Sequence, residues 1–491
     1  MKSEVLFEAN AEADIVVIGF GGAGAATAIA AHDMGAKVII LEKAPKGLEG
    51  GNTRVSGQGY LNVDGVEDAV DYLNALAGSE ELPQNHVRAW VMECSQNNDW
   101  MRSIGATPEE HHHQPVGIEF PELKGSQCVR KFHHGPRTGY SHTWDFLAGA
   151  VAERSIEVLY DARASKLIQE GMSREILGVQ ASCAGQPITV RARKAVVLAC
   201  GGFENNQSMI RDYLPGVSAC YPSGTPYNEG DGVHMALAVG ADLWHMKNFA
   251  GPSMALKVNE YQSTFSMTAL HFSHEQRGGM IVVGPDGRRF TDEKYKTLHG
   301  KVRRSGEWHT LALPTAMYMV FDHALFSDGP IYDKEPRMNW SRVVDRYQWS
   351  DDNVAELDKG WIKKGDSIEN LAEVLGLDPQ ALKRTCDEWN VICANGRDDH
   401  FGRTRMLNPI ERGPFYAVPL VASLLNTQGG PRRNARAQVV APDGEPIPRL
   451  YSAGELGSIF GYLYQGAGNI GECLATGRIA ARNAVSEPVI D

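Results

Sequence analysis

The eight cysteines, at 94, 128, 183, 200, 220, 386, 393 and 473, include no C-x-x-C pair. That absence excludes a zinc ribbon, an iron–sulfur run and a thioredoxin-like redox pair. With C-x-x-C-H also missing, no covalently attached c-type haem is encoded. Scattered thiols in so long a chain set the expectation of reduced cysteines in a cytoplasmic protein. Long apolar runs are lacking too. The longest, such as Lys194–Cys200 (KAVVLAC), are strand-sized, so no membrane span is expected. The opening residues, MKSEVLFEANAEAD, are acidic and lack the apolar stretch of a secretion signal. Positive charge is in deficit: 48 Lys and Arg against 60 Asp and Glu leave a net charge of −12. A phosphate-backbone binder carries the opposite balance, so nucleic acid is not an expected partner.

What is plentiful is glycine, 52 of 491 residues, well above the ordinary share of ~7%. Many backbone positions must therefore need close approach or positive φ. The length is roughly three times the ~150-residue prior for one domain, so two joined domains are expected.

Residues 14–19 (DIVVIG) have the β-branched run of a buried parallel strand, and Gly21–Met34 is rich in good helix formers. Lys37–Leu41 (KVIIL) is a second buried strand, which completes a βαβ unit. Helical texture follows over 66–103, irregular sequence over 104–143, and strands over 157–200. Residues 250–410 change character, being aromatic and mixed in charge, with a helical pair near 367–396. The last stretch returns to Gly-rich βα texture. This layout predicts an α/β protein. A Rossmann-like nucleotide-binding domain is split into residues 1–249 and 411–491, with an α+β substrate or capping domain inserted at 250–410.

The turn after the first strand is Gly19-Phe20-Gly21-Gly22-Ala23-Gly24, a G-x-G-x-x-G between strand and helix, and Glu42 closes the second strand. This is the context a dinucleotide fingerprint requires. Gly19 permits the tight turn, Gly21 lets the backbone approach a pyrophosphate, and Gly24 lets helix pack on strand. The helix N-terminus favours the pyrophosphate charge, and Glu42, followed by Lys43, can accept from ribose hydroxyls. No second such turn follows a strand elsewhere, so no separate nicotinamide domain is visible. Electrons must be exchanged with an external donor or acceptor.

The glycine-rich segment at 50–59 (GGNTRVSGQG) resembles the flavoprotein subunits of the fumarate reductase and succinate dehydrogenase superfamily. Three more segments carry the resemblance: Ala195–Phe203 (AVVLACGGF), Asn228–Gly232 (NEGDG), and Leu450–Glu455 (LYSAGE) with Gly466–Gly471 (GAGNIG). It implies FAD as cofactor, faced by Gly51, Asn52, Thr53, Ser56, Gly57, Ala164, Gly201, Gly202, Asp231, Gly454, Glu455, Asn469 and Ile470. Asp231 is then expected to anchor its loop near the flavin. Superfamily members with covalent FAD carry a His in the 43–60 segment, and this chain has none there, so non-covalent FAD is expected. The last helix is expected over Glu472–Ala484, and its positive N-terminus would also stabilise an anionic reduced flavin.

Gly429–Arg432 (GGPR) with Gly461–Gly471 (GYLYQGAGNIG) is similar to the 3-ketosteroid dehydrogenase branch, Gln465 standing where that branch has proline. The resemblance implies that the Tyr464 hydroxyl and the Gly468 N–H hold a substrate ketone. Fumarate-reducing members carry Arg where Tyr464 aligns. In the inserted domain, Gly287–Tyr295 (GRRFTDEKY) resembles the superfamily's G-x-R-F-x-[ND]-E element. Tyr295 is the expected proton-transferring residue, with Arg303 or Arg304 to stabilise its phenolate or to relay protons.

The function implied is hydrogen addition or removal across a C–C bond adjacent to the carbonyl of a small-molecule substrate, a hydrophobic cyclic, 3-ketosteroid-like ketone. The alternative is an ene-reductase of unsaturated carboxylates, fumarate or urocanate reductase-like. A tRNA-modifying flavoprotein is disfavoured by the charge, and a flavin module without turnover by the polar loops. No metal site is expected: consecutive His111, His112 and His113 cannot share one face of an element. His133 and His134 are pocket candidates, Arg432 and Arg433 candidates for a substrate carboxylate. Trp340, Trp349, Trp361 and Trp389 are expected in the core of the inserted domain.

Overall fold

The computed structural model describes residues 7–110, 117–135, 142–214, 216–217, 219–267, 270, 277–294, 297–332 and 347–490. The expected βαβ unit is formed by β1 (Ala11–Ile18), α1 (Gly22–Asp33) and β2 (Val38–Leu41). β1 pairs in parallel with β2 on one side and with the long strand Gln186–Leu198 on the other. Pro446–Ser452, from the end of the chain, then pairs in parallel with Gln186–Leu198. The continuous runs VVI, VII and AVVL are buried on both faces, as a parallel sheet covered by helices requires. Glu157–Leu159 closes one edge, and Ala162–Gln169 and Ile176–Cys183 hang from Gln186–Leu198 as an antiparallel meander. Three distant segments thus meet in one sheet.

One face of that sheet is covered by α1 and by the C-terminal helix Gly468–Val485, which is buried almost throughout. The stretch 104–143 is less irregular than its sequence suggests. Val129–His134 alternates buried and half-buried side chains, and it pairs with Tyr60–Val63 and Pro108–Glu110 in a three-stranded sheet. The period of two is there, but it is short and ends in His-His, so turn-forming neighbours mask it.

The inserted segment forms a second sheet in which Phe415–Leu424 is the hub. It pairs with Met317–Phe321, Ser253–Ala255, Lys363–Gly365 and Tyr221–Pro222, and Met280–Val283 lies beyond Met317–Phe321. That hub lies past the expected boundary at 410, because its alternating texture (FYAVPLVASL) continues the nucleotide-domain pattern without a break. Helices Ile368–Leu375 and Pro379–Asn395 are the expected helical pair. Trp349, Trp361 and Trp389 are core residues, and Trp340 lies outside the described residues.

The Gly287–Glu293 element has a structural use. Glu293 is fully buried and receives Arg289 through both carboxylate oxygens (2.8 and 2.9 Å), Arg403 at 3.0 Å and the Val282 N–H at 3.1 Å. Arg289 also reaches Asp398 at 2.9 Å. Removing one partner of such a network strands buried charge, which costs far more than the network's net worth. Glu293→Ala is therefore expected to lower unfolding stability by about 3–5 kcal/mol. Urea titration should read this as a shifted midpoint, and an unshifted midpoint would refute the assignment.

Candidate active site

The carboxyl ends of β1, β2 and Gln186–Leu198 open into a cleft of about 780 Å³. Gly19 lines it, and both Gly19 and Gly24 are required for steric reasons. A Cβ on Gly19, at φ +101°, would stand 2.5 Å from the Ala199 carbonyl oxygen, and one on Gly24 would stand 1.9 Å from that of Gly19. Gly21 has only an ordinary contact there, 3.5 Å from Gly50, so its missing side chain leaves room in the cleft rather than relieving the fold. Gly22 donates its N–H to Thr53 Oγ1 (3.1 Å), which locks the first glycine turn to the helix Gly51–Val55. Glu42 accepts the N–H groups of Phe20 (2.6 Å) and Ala44 (2.7 Å), and burial pushes its carboxyl above the usual range against those two donors. Each of its oxygens keeps a lone pair for another donor. Lys43 pairs with Glu229 and Asp231, and Arg163 joins the same acids. Asp231 is therefore held to Lys43, the residue after Glu42, and lines the same cleft. Ala23, Ala164 and Gly201 complete this wall.

Deeper in, one side chain organises two acids. Asn52 Nδ2 donates to Glu204 (2.7 Å) and to Glu455 (3.3 Å), while its Oδ1 accepts the Thr225 N–H (3.0 Å). Glu204 also receives Asn228 (2.7 Å) and the Thr427 hydroxyl (3.3 Å), and Glu455 receives the Gly202 N–H (3.2 Å). Burial raises both carboxyls, and for Glu455 the neighbouring Glu204 charge adds to it. Two buried carboxyls on one amide cannot both ionise, so the pair retains a proton. Glu204 was not singled out from the sequence, since a Glu after G-G-F carries no visible sign of its partners. Ser56 turns its hydroxyl to the Thr53 carbonyl, and Gly57 is exposed outside the cleft lining.

At the far end the C-terminal helix begins at Gly468, earlier than its sequence suggests, on Ala467 at φ +73°. Here the expected substrate donors need correction. The Gly468 N–H is spent on the Gln465 carbonyl (2.9 Å), and the donor beside the Tyr464 hydroxyl is the Asn469 N–H, at 3.5 Å. Gln465, in the place of the branch's proline, accepts from Tyr72 (2.7 Å) and the Glu119 N–H (3.2 Å), and so shapes the loop through its amide. Burial, then the nearby Glu119 charge, pushes the Tyr464 phenol up, so it stays protonated and can donate. Asn469 is held by Gln428 Nε2 at 3.2 Å, and Ile470 is buried behind it.

Several other candidates are placed elsewhere. Arg433 is fully buried and ion-paired to Glu472, and it also donates to the Gly454 carbonyl. Arg432 pairs with Asp242 at 2.6 Å. Arg433 is therefore not left for a substrate carboxylate, and Arg432 is held to Asp242 through Nε while its side chain stays partly exposed. Arg304 is exposed at the tip of the Lys301–Arg304 hairpin, and Arg303 approaches Glu122 at 3.7 Å. Arg304 is thus not brought into the cleft. His134 accepts the Thr107 N–H at 3.1 Å, and His133 is buried on the same strand. Tyr295 and His111–His113 lie outside the described residues. Among the described residues no His, Cys, Asp and Glu cluster could hold a metal, and no helix is long and apolar enough to cross a membrane.

The residues present fit FAD. Thr225 Oγ1 and Gln428 Oε1 are buried without a partner beside the Asn52 and Asn469 amides, as polar groups awaiting a polar ligand are. The unpaired N–H groups at the start of α1 suit the pyrophosphate and Glu42 a ribose. Glu455 suits the ribityl hydroxyls, and the start of the C-terminal helix suits the flavin. Bound there, FAD supplies a two-electron hydride acceptor or donor.

Comparison with known proteins agrees. The family described as FAD binding domain matches residues 14–470, and the chain belongs to it. It is an FAD-dependent oxidoreductase of the fumarate reductase and ketosteroid dehydrogenase family, acting on CH–CH groups. A probable fumarate reductase of Shewanella frigidimarina is 27% identical over 96% of this chain and 74% of its own length. A 3-oxosteroid 1-dehydrogenase of Mycolicibacterium smegmatis is 26% identical, covering 96% of both. A 3-ketosteroid Δ1-dehydrogenase from Sterolibacterium denitrificans, solved with 1,4-androstadiene-3,17-dione, shares the fold at TM-score 0.76. It is 20% identical, with coverage of 97% of this chain and 99% of that one.

Two outcomes follow from this geometry. Glu42→Ala should weaken FAD binding by about 1.5–3 kcal/mol, the scale of charge-assisted hydrogen bonds, read by flavin fluorescence titration. An unchanged affinity would remove Glu42 from the site. In the cofactor-free protein, the Glu204–Glu455 pair holds a proton that the unfolded chain has lost above its carboxyl value of 4.5. The native state then binds more protons, so their contribution lowers stability as pH rises from there through the folded values. Glu204→Gln should flatten that fall in melting temperature, and an identical slope would contradict the shared proton.

Proposed function

We propose that the enzyme adds or removes hydrogen across a C–C bond beside the carbonyl of a hydrophobic cyclic ketone, exchanging electrons with an external donor or acceptor. The observation that carries this reading is the wall around the start of the C-terminal helix. Tyr464 packs edge-on to Phe460 (5.4 Å), and Phe120, Trp308 and Tyr462 belong to the same apolar cluster. Of the arginines of the GGPRR run, Arg433 is consumed by Glu472 and Arg432 is tied to Asp242 through Nε. A flat apolar substrate suits such a wall, and a dicarboxylate calls for an unspent guanidinium. The protonated phenol of Tyr464 is a donor of the kind that stabilises negative charge developing on a carbonyl oxygen during enolate formation.

Holoenzyme should therefore turn over 4-androstene-3,17-dione or 1,4-androstadiene-3,17-dione, followed anaerobically by flavin bleaching or recolouring, and leave fumarate and urocanate untouched. Tyr464→Phe should lower kcat by about 100–1,000-fold, the cost of one oxyanion donor, with FAD content unchanged. Turnover of fumarate or urocanate instead would establish the carboxylate reading, and a fully active Tyr464→Phe enzyme would end the role given to the phenol.

A further inference from the structure

A second group of titratable side chains meets Tyr464, and none of it belongs to the FAD cleft. Glu119 is buried below the start of the C-terminal helix. Its carboxylate accepts the Gly466 N–H (2.6 Å), Lys131 Nζ (3.3 Å) and His299 Nε2 (3.0 Å). Burial drives its carboxyl up, but the His299 and Lys131 charges and the two hydrogen bonds outweigh this and bring it down to about 2. With the Lys131 ammonium and the Gly466 N–H also on it, it is an anion under His299. The imidazole packs edge-on to the Tyr464 ring, centroid to centroid 4.6 Å, and its side chain remains 21% exposed. With Nε2 bound to a carboxylate, the ring N–H is at Nε2, and Nδ1 has no hydrogen-bond partner among the described residues.

The backbone holds the ring there at some cost. His299 sits at φ +51°, a left-handed conformation that non-glycine residues adopt only under constraint. Its carbonyl accepts the Gly251 N–H at 2.8 Å, and a Cβ on the next residue, Gly300, would lie 1.8 Å from the Gly251 carbonyl carbon. The turn has no slack, so the imidazole direction is set by main-chain packing and by Glu119 together.

We infer that His299 is the proton-transferring residue of the site and Glu119 the residue that positions it. The inference rests on the CH–CH reading given above. In the oxidative direction, the C–H bond beside the carbonyl breaks and its proton passes to His299 Nδ1. The hydrogen on the adjacent carbon leaves with its electron pair for the oxidised flavin, which is reduced, and the C=C bond forms. The imidazolium so made is offset by the Glu119 carboxylate and loses its proton to solvent. In the reductive direction, His299 Nδ1 gives that proton back. The charged and titratable groups facing the ring are Glu119, Tyr464 and, through Glu119, Lys131. An Asp or Glu behind a histidine fixes the tautomer and stabilises the cation, the arrangement general-base catalysis uses.

The test compares FAD-loaded wild type, His299→Gln, His299→Ala and Glu119→Gln on the steroid that wild type turns over. Wild-type turnover itself reports the parent reading, independently of any variant. His299→Gln should lose about 100- to 10,000-fold in kcat, the range of a general acid–base group, with KM and FAD content little changed. Free imidazole should restore part of the His299→Ala activity in a saturable way. A readout apart from turnover is the ¹⁵N NMR of the resting holoenzyme, in which the His299 ring should carry its neutral-form proton on Nε2 alone. Glu119→Gln should mix the two tautomers. Wild-type kcat in His299→Gln would overturn the inference for His299, and an unchanged tautomer in Glu119→Gln would overturn it for Glu119.

Discussion

The site depends on one buried ion pair. Arg433 and Glu472 are both fully buried and bonded to each other. Arg433 also holds the Gly454 carbonyl, while Glu472 takes the Ser458 hydroxyl (2.6 Å) and the Ile459 N–H (2.9 Å). A single contact therefore ties the GGPRR segment, the A-G-E turn, the loop leading to Tyr464 and the C-terminal helix into one body. Neither charge could be buried alone, and breaking such a pair typically costs about 3–5 kcal/mol. The run that resembles a substrate-binding motif in sequence works here as the clamp on which the site is assembled.

With that clamp in place, burial gives opposite results in the Glu204–Glu455 pair of the cleft and in Glu119 outside it. Glu204 and Glu455 share neutral amides, so desolvation dominates and a proton is retained. Glu119, its side chain 13% exposed, faces Lys131, His299 and the Gly466 N–H and is held as an anion. Its partners include the charged Lys131, where those of Glu204 and Glu455 are neutral amides. A neutral pair suits a wall meant for hydroxyl groups, and an anion suits a position behind a histidine.

The cofactor half was legible in the sequence because its residues are contiguous and sterically forced. Gly19 and Gly24 are fixed by contacts within a few residues or across one strand pair, and Glu42 terminates a recognisable strand. The catalytic end was less legible. Glu119 and His299 are 180 positions apart, and neither lies in a patterned run. Gly468 looked available because the helix start was placed too late, and the carbonyl that takes its N–H comes from Gln465, the residue that departs from the family pattern. Arg432 and Arg433 looked free because the sequence shows their charge but not Asp242 or Glu472. Phe415–Leu424 was assigned past the insertion because its pairing with Met317–Phe321 is a tertiary fact.

The most direct test of this account is a crystallographic map of the protein reconstituted with FAD. The account predicts the pyrophosphate against the N-terminus of Gly22–Asp33 and the adenosine ribose on Glu42. The ribityl chain should lie along Glu455 and the isoalloxazine against Asn469 and Ile470, with no covalent link to the chain. Flavin density elsewhere, or continuous density joining the ring to a side chain, would contradict it.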